Sequence, residues 1–280
     1  VMYGIDFLRK VSEGQDVAVG KHVVVVGGGS TACDAARTAK RMGAEDVRLI
    51  YRRTRAEMPA QLEELIESEE EGIIMDYLVS PTEVVGNGKV EGLKCIRTEL
   101  GDFDNSGRRR PVPIEGSDYT LKADLVIPCL GQKLSKGLEF GEVNLNDWGY
   151  MDVDARTMAT NKEGIFAGGD NVNPSTIIEC VAQGRLAAIN IDKYFGFEGK
   201  LFDEERSAVE VTYDEDAYLQ TLPRKTSNFE DVDERLQSLV LEVNKGMTLE
   251  DTVEEARRCL HCDRGEMTEP CDKAEKKHIK

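Results

Sequence analysis

The sequence predicts an α/β fold: a Rossmann-like dinucleotide-binding domain, part of a second nucleotide-binding domain, and a helical, cysteine-bearing tail. Three observations lead there. Val23-Val24-Val25-Val26 runs into Gly27-Gly28-Gly29 and then into helical composition from Ser30 to Met42. A second apolar run, Val47 to Tyr51, ends in Arg52-Arg53. Far downstream, Gly164-Ile165-Phe166-Ala167-Gly168-Gly169-Asp170 again carries an apolar run into a glycine pair.

The first observation reads as a buried parallel strand, a tight turn and a helix, in the order a dinucleotide site requires. Gly27 permits the turn, and Gly29 lets the backbone approach a pyrophosphate. The helix opening at Ser30 attracts that anion through its free N–H groups and dipole. The small Ala32 lets helix and strand pack closely. In the second observation, the end of Val47–Tyr51 is where an NAD site places an acid against the ribose 2′-hydroxyl. Arg52 and Arg53 stand there instead, with Arg55 close behind. Guanidinium forks suit a 2′-phosphate, so the residues point to NADPH. The plainer alternative is a structural βαβ unit with a solvated basic turn.

The remaining elements follow in order. Gly4 to Ser12 has helical character, and residues 1–20 read as a linker helix. Residues 21–145 are the expected NADPH-binding domain. Within it a helix starts near Pro59 and runs through Glu70, and Ile73 to Leu78 is a strand. Strands flank the Gly86-Asn87-Gly88 turn, with Val90 to Thr98 returning from it. Gly101–Gly116 is a polar loop or hairpin tip, and Ala123 to Leu130 is a buried strand ending in Gly131-Gln132. Residues 146–198 are the expected second portion, with strand character at Gly149–Ala159 and a helix over roughly Thr176–Phe195. Residues 199–280 form an extension: a linker over 200–230, helical periodicity at Val232–Asn244 and Leu249–Leu260, and a polar tail from Cys259.

The 280 residues carry a formal charge of −17, which disfavours nucleic acid as a partner. No apolar run approaches the roughly 20 residues of a membrane span. Acid concentrates in Glu63–Glu71 and the last third, as solvated helix faces or as an acidic docking surface. Seven cysteines, mostly scattered, with Cys33, Cys95, Cys129 and Cys180 in apolar surroundings, suggest a reducing cytoplasm. The opening at Val1, without an initiator Met and directly into a helix, predicts residues upstream.

In Gly164–Asp170 a short strand delivers the Asp170 carboxylate beside the glycines. The helix from Ser175-Thr176 then offers N–H groups to a phosphate or an isoalloxazine edge. This resembles the second flavin fingerprint of the two-dinucleotide-binding flavoprotein fold; the alternative is a strand-to-helix turn capped by Asp. A flavin of this kind needs its own glycine-rich βαβ unit, and Gly27–Ala32 is the only such turn in the chain. The first flavin half is expected before Val1 or from a partner chain.

With Met2-Tyr3-Gly4-Ile5-Asp6-Phe7-Leu8, Tyr51-Arg52-Arg53-Thr54-Arg55-Ala56-Glu57-Met58-Pro59-Ala60, Ala123-Asp124-Leu125-Val126-Ile127-Pro128 and Gln183-Gly184-Arg185, the chain resembles the glutamate synthase small-subunit family over residues 1–195. That family comprises NADPH-dependent, FAD-containing, iron–sulfur oxidoreductases. The resemblance implies hydride transfer from NADPH to FAD, then single electrons to iron–sulfur centres of a partner subunit or ferredoxin. It assigns Gly27, Gly29, Thr31, Ala32, Arg52, Arg53 and Gln132 to NADP, and Ser30 and Gly131 beside them are further cofactor-binding candidates. It assigns Gly169, Asp170, Thr176 and Ile177 to FAD.

The tail Cys259-Leu260-His261-Cys262 looks like this family's cluster-binding entry. A C-x-x-C pair places two thiolates on one metal. Only Cys271 follows, so three readings stay open. One is a [4Fe-4S] cluster completed by another chain or by His278. Another is a zinc site of three Cys and one His, using His261 or His278. The last is a structural end without metal. At the level of the whole chain, an NADPH:FAD oxidoreductase subunit competes with a nucleotide-binding or docking module that holds no flavin. A thiol-disulfide reductase is disfavoured, because no C-x-x-C or C-x4-C pair lies in the nucleotide domains.

Overall fold

The computed structural model describes residues 1–104, 107–132, 134, 142–174, 176–200 and 223–258. These form two compact units. The first takes residues 1–130 with 223–258, and the second begins at Gly131. The division therefore falls earlier than the expected 145/146 boundary, and residues 223–258 of the extension belong to the first unit.

The first unit contains helix α1 (Gly4–Ser12), strand β1 (His22–Val26), α2 (Ser30–Arg41), β2 (Asp46–Tyr51), α3 (Leu62–Glu70) and β3 (Ile74–Tyr77). Then come β4 (Val79–Val85), β5 (Gly92–Phe103), β6 (Arg109–Pro113), β7 (Tyr119–Lys122) and β8 (Leu125–Pro128). Four strands make a parallel sheet in the order β3-β2-β1-β8. A strand between two parallel neighbours is buried on both faces, which is why β1 is four valines in succession.

Strand alternation sends those valines into two cores. Val23 and Val25 join Val47, Leu49, Phe7 and the alanines of α2. Val24 and Val26 join Ile50, Val126, Val79 and Leu93. Ala32, Ala35, Ala36 and Ala39 are all fully buried, so small side chains bring α2 close to the sheet. Phe7 is likewise fully buried, making α1 part of this unit's core rather than a linker. The second core is closed by an antiparallel sheet in which β5 pairs with β4, β6 and β7. The polar stretch after Gly101 is thus two arms of a hairpin.

The acid run of α3 is not a free docking face. Glu67 pairs with Arg37 at 2.7 Å, Glu69 with Arg55 at 2.5 Å and Glu70 with Arg235 at 2.8 Å. Glu71, just past the helix, is fully buried between Arg37 and Arg41.

The extension adds β9 (Asn228–Phe229), α5 (Val232–Arg235), β10 (Asn244–Gly246) and α6 (Leu249–Ala256). The helix expected over Val232–Asn244 stops at Arg235. The Ser238 hydroxyl accepts from the N–H groups of Val240 and Leu241 at 3.2 and 3.1 Å, offering the backbone a turn in place of the next helical rung. Arg235 fastens this segment: 5% exposed, it reaches Glu70 and donates Nε to the Glu230 carbonyl at 2.6 Å.

In the second unit α4 (Ile177–Tyr194) is the dominant element. The strand expected at Gly164–Ala167 is reduced to one antiparallel bridge, Ala159 with Phe166. The strand character of Gly149–Ala159 likewise reduces to bridges from Met151 and Ala159. Among the described residues, no helix is long and apolar enough to cross a membrane.

Candidate dinucleotide site

The three glycines lie past the carboxyl end of β1 and are not equivalent. The Gly27 N–H donates to the Ile50 carbonyl at 3.1 Å, and a side chain there would come within 2.6 Å of the Cys129 carbonyl. Gly28 lies under Tyr51, whose ring would be 2.5 Å from an added Cβ. Gly29 is the N-cap of α2, and the nearest atom to a Cβ there is Pro59 Cγ at 3.8 Å. Gly27 and Gly28 are therefore fixed by the protein's own packing. Gly29 faces open space that a ligand can enter.

The N-terminus of α2 is correspondingly bare. It has no side-chain cap and no acid in its first turn. The N–H groups of Gly29, Ser30 and Thr31 donate to no acceptor among the described residues. Three other helices, α3, α4 and α6, satisfy donors at their own N-termini. Gln61 and Glu64 form a capping box at α3, and the Thr248 hydroxyl caps α6. Three unsatisfied donors, a positive dipole end and an unobstructed glycine fit a pyrophosphate.

After β2 the chain folds back over this loop. The Tyr51 hydroxyl donates to the Glu57 carbonyl at 2.8 Å, and the Ala60 N–H donates to the Gly28 carbonyl at 3.1 Å. Between them, Arg55–Glu57 forms a 3-10 turn. The Glu57 carboxylate accepts from the Thr54 hydroxyl and N–H, and the hydroxyl above all holds its pKa below the ordinary value. Gly28→Ala is expected to push the Tyr51 ring off the loop and cost about 1–3 kcal/mol, as overpacking does. A thermal midpoint equal to wild type would show that the ring has room to yield.

The arginines separate by environment. Arg52 is exposed, and its guanidinium has no hydrogen bond or ion pair among the described residues. Arg53 is 3% exposed and turned inward, its Nη2 on Asp104 at 2.8 Å and its Nε on the Arg109 carbonyl at 2.5 Å. Arg55 is half-buried and held by Glu69. The sequence placed Arg52 and Arg53 together on a phosphate. Of Arg52, Arg53 and Arg55, the structure leaves Arg52 with a guanidinium that has no partner among the described residues. The partner that removes Arg53 lies 51 residues away, where no local pattern shows it.

In the second unit, Gly169 has φ +62°, a left-handed conformation that favours glycine, and its N–H donates to Gln183 Oε1 at 2.6 Å. Asp170 follows, exposed, in a short 3-10 turn. Thr176 caps α4, with its N–H and hydroxyl both donating to the Glu179 carboxylate at 2.8 and 2.9 Å. That carboxylate disfavours a phosphate at this helix end, while a neutral ring edge suits it. Ile177 and Ile178 are 83% and 81% exposed. Gly131 and Gln132 are exposed, and the Gln132 carbonyl accepts from the Tyr150 hydroxyl at 2.7 Å. Cys259, Cys262 and Cys271, with His261 and His278, lie outside the described residues.

None of the four described cysteines forms a disulfide, and Cys33 and Cys95 are buried. Burial pushes the thiols of Cys33 and Cys95 up to about 11 and that of Cys129 up to about 12. These are inert packing thiols rather than redox nucleophiles.

A parallel sheet with a bare helix end and a glycine loop at its carboxyl edge defines a Rossmann-type dinucleotide-binding protein. The family profile of the pyridine nucleotide-disulphide oxidoreductases matches residues 1–184, and the chain belongs to that family. Subunit beta of the NADP(+)-dependent formate dehydrogenase of Moorella thermoacetica is 40% identical over 273 residues, covering 93% of this chain and 38% of that protein. The glutamate synthase [NADPH] small chain of Azospirillum brasilense is 40% identical over 210 residues, covering 69% of this chain and 44% of that protein. The resemblance read from the motifs is thereby borne out, and the chain spans less than half the length of these relatives. FprA of Mycobacterium tuberculosis, solved in complex with NADPH, superposes with a TM-score of 0.52 at 18% identity, covering 64% of this chain and 53% of that one. Together with the family profile, that match bears out the Rossmann-like two-dinucleotide-binding fold expected from the sequence. The family binds FAD together with a pyridine nucleotide.

Proposed function

We propose that the chain carries the NADPH site and part of the FAD site of an electron-transfer subunit. The observation that carries this reading is the pairing of the bare α2 N-terminus with the free Arg52 at the end of β2. The N–H groups of Gly29, Ser30 and Thr31 receive the pyrophosphate, and Arg52 receives the 2′-phosphate. Ala32 keeps the helix close to β1. Gly131 and Gln132 are further candidate NADP contacts. Gly169, Asp170, Thr176 and Ile177 meet the flavin, with Asp170 accepting from ribityl hydroxyls. FAD, when bound, takes a hydride as an electron pair and releases electrons singly. The protein's own contribution is to bind and orient, so no general acid or base is assigned.

An iron–sulfur centre, for which Cys259, Cys262 and Cys271 are the candidate ligands, would pass electrons on to a partner subunit or ferredoxin. The buried thiols of Cys33 and Cys95, neither in a disulfide, support a reducing cytoplasm as the working compartment. The match to the formate dehydrogenase subunit takes in 93% of the chain, against 69% for the glutamate synthase small chain. This favours an acceptor other than glutamate synthase for the extended chain. A second reading, a nucleotide-binding or docking module without flavin, is supported by α4, none of whose residues is buried.

A visible spectrum of the intact protein separates the two. Flavin bands bleached by NADPH, and far less by NADH at the same concentration, are expected for the enzyme. A colourless protein that protects NADPH from exchange establishes the module. Bleaching by NADH as readily as by NADPH removes the NADPH assignment.

A further inference from the structure

The bend after β2 is gripped from two sides by the antiparallel sheet. The Arg52 carbonyl accepts from the Thr98 hydroxyl at 2.9 Å, and the Arg53 carbonyl accepts from the Leu78 N–H at 3.0 Å. Thr98 and Leu78 are themselves joined, the Thr98 N–H on the Leu78 carbonyl at 2.9 Å. Thr98 is 3% exposed, so its hydroxyl is a fixed, dry anchor. Leu78 has φ +56°, a left-handed conformation that a branched side chain adopts only where its surroundings hold it.

The Arg53 side chain completes the grip from the hairpin of β5 and β6. Its two donors go to two different groups there, the Arg109 carbonyl and Asp104 Oδ2. Asp104 also closes the hairpin tip. Its Oδ1 accepts from the Arg108 N–H at 3.1 Å, its N–H donates to the Arg108 carbonyl at 2.7 Å, and its carbonyl accepts from the Gly107 N–H at 2.9 Å.

We infer that Arg53 is a positioning residue for coenzyme selection, acting through Arg52. Its fork ties the β5–β6 hairpin to the bend and so fixes the backbone from which Arg52 reaches the 2′-phosphate. The inference rests on the NADPH reading above. Two consequences of charge and geometry support it. Asp104 neutralises Arg53, so among the described residues the bend presents an uncompensated cation at Arg52 rather than a repelling pair. A planar guanidinium can serve a carbonyl and a carboxylate along two fixed directions, which a lysine ammonium on its flexible stem does not reproduce. A residue that merely stabilised the fold would affect NADH and NADPH alike. One that orients Arg52 affects only the coenzyme bearing a 2′-phosphate.

The test is a double-mutant cycle in the intact protein, with dissociation constants for NADPH and NADH and a thermal midpoint for each variant. Asp104→Ala and Arg53→Lys are expected to weaken NADPH about 5- to 10-fold while NADH changes less than about twofold. In an Arg52→Ala background the same substitutions should leave the NADPH to NADH ratio unchanged, because nothing remains to orient. Asp104→Asn, which keeps the shape, serves where Asp104→Ala does not fold, with a smaller shift in the same sense. If the single variants keep the wild-type ratio while Arg52→Ala abolishes it, Arg53 is structural only; the inference fails and the NADPH site stands. If Arg53→Ala lowers NADPH affinity further in the Arg52→Ala background, Arg53 touches the phosphate itself and the inference is overturned. If Arg52→Ala leaves the ratio intact, the NADPH reading fails first.

Discussion

Arg52→Ala is expected to weaken NADPH about 10- to 100-fold and to leave NADH nearly unchanged. Arg52 is exposed and its guanidinium has no protein partner among the described residues, while its one anchor, the carbonyl on the Thr98 hydroxyl, survives substitution. A charge-assisted bond to a phosphate contributes roughly 1.5–3 kcal/mol, which is the stated range in affinity. NADH ends in a ribose hydroxyl at that position and gains little from a guanidinium. Fluorescence titration of the two coenzymes, with the thermal midpoint alongside, checks the prediction. An unchanged midpoint with a lost NADPH preference is the expected pair of results. Equal losses for both coenzymes would show that Arg52 supports the whole loop. The effect should also shrink as salt is added, since the contact lies at the surface and is screened.

The contrast between Arg52 and Arg53 shows how far the sequence could be read. The strand–glycine–helix unit was legible because every part of it is local. Four valines need two covered faces, a glycine turn follows, and alanines at helical spacing come next. The helices at Gly4–Ser12 and Ile177–Tyr194 were legible for the same reason. Arg53 was not. Val47, Leu49 and Tyr51 alternate into one core while Ile50 enters the other. Continuing that alternation would send Arg52 toward the antiparallel sheet. The chain bends at Arg52 and Arg53, the parity ends, and Arg53 turns in to meet Asp104. The helix expected across Val232–Asn244 failed to the same kind of competition, since Ser238 takes the N–H groups that the helix would have used. The acid run of Glu67 to Glu71 looked like a surface because its partners, Arg37, Arg41, Arg55 and Arg235, are distant in sequence or on another helix.

That acid run carries the second large effect. Glu71 sits at the C-terminal end of α3, where the helix dipole disfavours an anion, and its side chain is fully buried. Burial alone would raise its pKa. Hydrogen bonds and charge from Arg41 at 2.5 Å and Arg37 at 2.7 Å outweigh burial and hold it below the ordinary 4.5. Glu71→Ala leaves Arg41 and Arg37 11% and 14% exposed with a buried charge uncompensated, Arg37 keeping only Glu67. The expected loss is about 3–5 kcal/mol, or on the order of 10 °C in the thermal midpoint. The pH dependence follows from the sign of the shift. A folded pKa below the unfolded one means that the pair's contribution is present in full above about 4.5 and fades as pH falls through the lowered folded value. Wild type should therefore lose stability toward acid faster than Glu71→Gln, which has no carboxylate to protonate. Replacing all three charges together, as Arg37→Met, Arg41→Leu and Glu71→Met, should cost far less than Glu71→Ala alone. A buried ion pair does little better than apolar packing of equal volume, and the penalty lies in leaving half of it behind. If the triple variant is as unstable as Glu71→Ala, the network contributes directly to stability, and the unpaired charges are not the cause.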